Sequence, residues 1–149
     1  MNSRYHKIGI SILLLILIPA EMIFSASKGN ADVQFVRAIE TEKGVWTFHV
    51  TVFHPDTGWK DYANGWDVVL PDETVLKTNP AHEFTRVLFH PHETEQPFTR
   101  SQNGLKIPAE VKKVRVRAHD IVDGFGGKEV VVDLSEPESE YFKVEHFNK

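Results

Sequence analysis

No cysteine occurs anywhere in the 149 residues. That excludes disulfides, thiolate metal centres, a cysteine nucleophile and a lipid anchor carried on a cysteine sulfur. Methionine is nearly absent: Met1 and Met22 both precede residue 32, so the chain beyond has no thioether for a copper site. No stretch of useful length repeats apolar residues at helical spacing. Basic side chains are outnumbered, 17 against 21 acidic. Uncharged apolar runs are scarce, and the longest, Ile8 to Pro19, lies near the N-terminus.

That run explains the first 31 residues. Arg4 and Lys7 precede it, and the small residues Ser25, Ala26 and Ser27 follow it. A basic start, a short apolar run and a small-residue exit read as a secretory signal peptide, here residues 1–31. Ser25-Ala26-Ser27 and Gly29-Asn30-Ala31 both satisfy the small-x-small rule, and the second is preferred. An uncleaved anchor is the alternative, but Pro19 and Glu21 interrupt a stretch only just long enough to span. The expectation is a periplasmic or secreted protein with no stable membrane span after cleavage. Removing residues 1–31 takes away Arg4, Lys7, Lys28 and one acid, Glu21, so the formal charge moves from −4 to −6. An acidic domain repels phosphate backbones, and nucleic acid is not an expected partner.

The remainder alternates with period two. Trp46, Phe48, Val50 and Val52 fall on one face of a strand, and Thr47, His49 and Thr51 on the other. Val33 to Glu40, the turn Thr41 to Gly44 and Val45 to Phe53 read as a hairpin. Trp66, Val68 and Leu70 share a face of the next strand, and Val114, Val116 and Ala118 oppose Arg115, Arg117 and His119 in a later one. With Val75 to Thr78, Phe84 to Phe89, Gln96 to Ser101 and Val130 to Leu134, this predicts an all-β chain. The fold expected is an antiparallel immunoglobulin-like β-sandwich of seven or eight strands over residues 32–134, with residues 135–149 an acidic C-terminal extension.

Two resemblances accompany this reading. Leu105-x-Ile107-Pro108, then Val114-x-Val116-x-Ala118, a Gly-rich loop and a final strand resemble the last strands of a fibronectin type III module. The stretch His54 to Leu70, with Phe89-His90-Pro91-His92, Gln96 to Ser101 and Arg117-Ala118-His119-Asp120, resembles a group of small exported bacterial proteins of unassigned function. That resemblance implies an exported single domain and no particular activity.

In an immunoglobulin-like sandwich the loops after the second, fourth and sixth strands share one end. Here they carry His54, His90, His92 and His119, a candidate ligand set for zinc or copper. His90-Pro91-His92 places two rings on one face of an extended backbone. Asp56 and Asp120 are candidates to orient an imidazole from behind. Trp59, with Tyr62, sits where an exposed ring could stack on a ligand, and Arg100 could brace the loops by pairing with Asp67 or Glu93. Structural roles for all of these residues are the simpler alternative. No serine has a nucleophile-elbow context, and Asp120-x-x-Asp123-Gly124 lacks the spacing and closing Glu of a calcium loop. The sequence therefore points to a non-catalytic module that recognises a protein or glycan through its end loops, or alternatively to a zinc- or copper-binding protein using the histidines on that rim.

Overall fold

The structure of the chain, a computed structural model, describes residues 29–148. Residues 1–28 of the expected signal peptide lie outside the described residues. Nine strands form: β1 (Asp32–Glu42), β2 (Val45–Phe53), β3 (Ala63–Val69), β4 (Arg86–Val87), β5 (Phe98–Lys106), β6 (Lys113–Asp120), β7 (Gly124–Phe125), β8 (Val130–Asp133) and β9 (Phe142–Glu145). They make two sheets, one ordered β5-β2-β1-β9 and the other β4-β3-β6-β7, with β8 also paired to β6. The chain is all-β and folds as a sandwich. Its first, second, fifth and ninth strands lie in one sheet, and its third, fourth, sixth, seventh and eighth in the other. Among the described residues no helix is long and apolar enough to cross a membrane.

Alternation builds the core. Trp46, Phe48, Val50 and Val52 of β2 are buried, as are Val114, Val116 and Ala118 of β6, while the residues between them are partly exposed. These rows face each other, together with Val33, Val36 and Ala38 of β1 and Trp66 and Val68 of β3. Val33 pairs with Val52, Val36 with Val50 and Ala38 with Phe48 across the expected hairpin. Gly44 closes that hairpin at φ 76°, a conformation glycine adopts without Cβ strain. Trp66 is fully buried, whereas Trp59 is 68% exposed.

Several boundaries differ from the sequence expectation: the strand expected over Gln96 to Ser101 starts at Phe98 and runs on to Lys106, and the Gly-rich loop holds the two-residue β7. Val75 makes only an isolated bridge to Val69, and the Phe84–Phe89 strand shrinks to Arg86–Val87. Phe84 packs over Gly65, where there is no side chain, and β4 begins only at Arg86. Residues 142–145, expected in an extension, form β9, which pairs in parallel with β1. Phe142 and Val144 enter the core, so the sandwich continues beyond residue 134. At the other end of the chain Ala31 is also a core residue, 1% exposed.

Candidate functional site

The loops after β2, β4 and β6 meet at one end of the sandwich, and backbone bonds show how. His54 N donates to Gln96 Oε1 at 3.1 Å, His92 N to Asp56 Oδ2 at 2.6 Å, and Ile121 N to the Tyr62 carbonyl at 3.2 Å. Asp56 is the hub. Its Oδ1 accepts from Ala63 N at 3.0 Å and from His54 Nδ1 at 2.6 Å. A carboxylate only accepts, so His54 carries a proton on Nδ1, and in the neutral ring the lone pair of Nε2 is turned inward.

That lone pair faces two more carboxylates. Asp61 Oδ1 lies 3.5 Å from His54 Nε2. Asp120 Oδ1 accepts from Val122 N at 3.0 Å and Asp123 N at 2.6 Å, which shapes the turn after β6 and leaves Oδ2 without a partner. Ligand atoms of His54, Asp61 and Asp120 all lie within 4.8 Å of one another. His54 Nε2, Asp61 Oδ1 and Asp120 Oδ2 are each buried and make no hydrogen bond. His54 and Asp120 are fully buried as residues, while the Asp61 side chain is 35% exposed and leads outward.

The local sequence explains the placement. His54 follows Val52 by two residues and continues the inward row of β2. Asp120 follows Ala118 by two and ends the inward row of β6. One residue from each sheet is thus aimed into the mouth of the core. Asp61 arrives from a tight loop in which Gly58, at φ 132°, bridges to Asp61, and Thr57 N donates to the Asp61 carbonyl at 2.9 Å.

The four expected histidines do not gather. Among the described residues, the one group of three or more potential ligands that converges contains His54 alone of the four. His119 points outward from β6: its Nδ1 bonds Asn64 Oδ1 at 2.6 Å, and its ring packs between Phe84 and Phe125. His90 is exposed, with Nδ1 donating to the Pro91 carbonyl at 2.9 Å. His92 is buried and stacks on Phe98 at 3.9 Å between centroids. Its Nδ1 is 3.8 Å from Asp56 Oδ2, too long for a hydrogen bond. Burial first, then the Arg100 guanidinium and His90, hold the His92 imidazole below its usual pKa. Arg100 pairs with Glu95 at 2.9 Å rather than with Asp67 or Glu93. Asp67 is taken by Arg117 at 3.0 Å, and that guanidinium lies over the Phe125 ring.

Outside this cluster the same end exposes apolar side chains among charged ones such as Lys60, Glu93 and Asp123. Trp59 meets Tyr62 edge-on at 5.8 Å, and Val122 and Phe89 are 60% and 68% exposed. At the opposite end an open cleft of 580 Å³ is lined by Trp46, Ile107, Pro108, Leu134 and His146. No set of three ligand atoms converges there.

No family model matches the chain, and no solved structure matches it. One protein from Halomicrobium mukohataei, described as "Putative lipoprotein", is 40% identical over 86 residues, covering 58% of this chain. The match spans 38% of that protein's own length.

Proposed function

We propose that this chain is an exported, non-catalytic binding module that recognises a protein or glycan ligand with the loops after β2, β4 and β6. The observation that carries the reading is Trp59. A tryptophan 68% exposed loses a large apolar contact area to water. It nevertheless stands on a braced loop, between the Asp56 hub and the Gly58–Asp61 bridge, with its ring fixed against Tyr62. Trp46 and Trp66 are buried and serve the core. A rigid scaffold that presents one pre-positioned aromatic loses little side-chain entropy when a ligand stacks on it. Export is supported by the basic-apolar-small order of residues 1–27 and by the similarity to the "Putative lipoprotein". Attachment of a lipid to cysteine does not carry over, because these 149 residues contain none.

The test compares wild type with Trp59→Ala on glycan arrays and on immobilised extracellular proteins. Trp59→Ala should fold with an unchanged melting temperature and lose the ligands that wild type retains. Identical retention profiles for the two proteins would refute recognition through this end.

A further inference from the structure

We propose that His54, Asp61 and Asp120 form a binding site for a divalent transition cation, with zinc the ion best suited to it, and that the ion joins the two sheets. The residues differ from a surface acidic cluster in one respect: the ligand atoms are inside the protein and unpartnered. His54 Nε2, Asp61 Oδ1 and Asp120 Oδ2 are removed from solvent with no hydrogen bond. An orphaned buried acceptor has given up its water without a replacement, and a charged one loses more than a neutral one. Here three acceptors point at one another, which adds repulsion.

Charge bookkeeping leads to the same place. Asp56, Asp61 and Asp120 bring three carboxylates to the end of an apolar core. Among the described residues none of the three pairs with a lysine or arginine; the only partners within ion-pair distance are the imidazoles of His54 and His92. Asp56 is compensated by two backbone N–H groups and the His54 ring. Asp120 has two N–H donors on one oxygen and none on the other. Buried carboxylates without a counter-charge are strongly destabilising. A divalent ion at the focus would supply it.

The His54–Asp61 spacing suits zinc, and the remaining ligand atoms lie within 4.8 Å. Ligands held 2.0–2.1 Å from a tetrahedral ion stand roughly 3.3–3.4 Å apart. His54 Nε2 and Asp61 Oδ1 are 3.5 Å apart. The Asp56–His54 bond is the carboxylate–imidazole arrangement that fixes a ligating tautomer and raises its basicity. One imidazole and two carboxylates leave a fourth position, reached along the partly exposed Asp61 side chain. Magnesium retains several waters and prefers oxygen, and calcium needs six to eight oxygens, so neither matches a buried set containing nitrogen. The site does not involve Trp59, so it can be tested separately from ligand recognition.

A proton on His54 Nε2 is the competing way to satisfy the same lone pair, and the experiment separates the two. The full chain, purified without a histidine tag and freed of metal, is titrated with zinc by calorimetry, and His54 is followed by nitrogen NMR. The expected result is one equivalent of zinc, a His54 Nε2 resonance at the metal-bound position and a raised melting temperature. Asp61→Asn, at a partly exposed side chain that folding tolerates, should weaken binding at least ten-fold. His90→Ala, at an exposed imidazole outside the site, should leave it unchanged. No zinc binding, with Nε2 protonated, would overturn the proposal. So would binding that survives Asp61→Asn but falls with His90→Ala, because that identifies a surface histidine as the ligand.

Discussion

Gly65 in β3 lies beneath the ring of Phe84. A Cβ built on Gly65 would sit 2.0 Å from Phe84 Cδ2 and 2.4 Å from Cγ. These contacts involve the root of the ring as well as its edge, so turning the ring about χ2 cannot relieve them and the aromatic must leave its seat. Phe84 is 3% exposed and packs against His119 at 4.9 Å and Phe125 at 6.1 Å between centroids. Complete loss of such a side chain costs about 3–5 kcal/mol, and overpacking alone costs about 1–3. Gly65→Ala should therefore cost about 2–4 kcal/mol. The sign then reverses in a second background. With Phe84→Ala in place the space is empty, and no positive φ is recorded for Gly65. Alanine in a strand is favoured over glycine by roughly 0.5–1 kcal/mol. Gly65→Ala should be neutral to stabilising there, which gives a coupling of about 2–5 kcal/mol between two neighbouring positions. Urea melts of the four proteins measure it, provided the m-values agree. Additive effects, or a wild-type background indifferent to Gly65→Ala, would refute the account of Phe84 as the cover of a glycine.

Two further outcomes are expected. His92 is held below its usual pKa chiefly by burial. The unfolded chain therefore takes up a proton near pH ~6.5 before the native one does, and stability falls from that pH down to the lower native value, where the loss levels off. His92→Phe, which keeps the stack on Phe98 and the backbone bond to Asp56, should flatten this acid limb in urea melts across pH 7 to 5; an unaltered limb would assign the loss elsewhere. Cleavage after Ala31 would remove a residue that the core buries, so mass spectrometry of the exported chain should show a start at Lys28, and a start at Asp32 or an intact Met1 would contradict that choice.

The period-two rows carried most of the fold. Trp46 to Val52 and Val114 to Ala118 gave the two faces of the core correctly because regular strands keep their alternation. The same rule held information about the site. Stepping by two from Val52 reaches His54, and from Ala118 reaches Asp120, so both polar residues were legible as inward-facing ends of apolar rows. His119, one step out of phase, was legible as outward. The His90-Pro91-His92 rings do lie side by side, 4.6 Å between centroids, but no third ligand atom converges on them, because the loop's path is not set by strand alternation. Asp61 was legible as one of several possible ligands between His54 and Asp67, but not its direction, which depends on the Gly58 turn and on the hydrogen bonds of Asp56. A last strand was legible as an alternative in Tyr141, Phe142, Val144 and Phe147, but nothing local showed that it would pair with β1.

The pairing of β9 with β1 has a consequence for when the protein can finish folding. Val36 aligns with Phe142 and Ala38 with Val144, so strands from the two ends of the domain are neighbours. The β1–β2 hairpin can form as soon as both strands have emerged during synthesis. The outer edge of β1 then remains an open row of donors and acceptors until residues 142–145 arrive, and an open edge invites other chains. Contacts this distant in sequence also close slowly. The last few residues thus act as a latch: a chain shortened by a dozen residues would keep most of its core and lose the strand that stops it from recruiting a second copy.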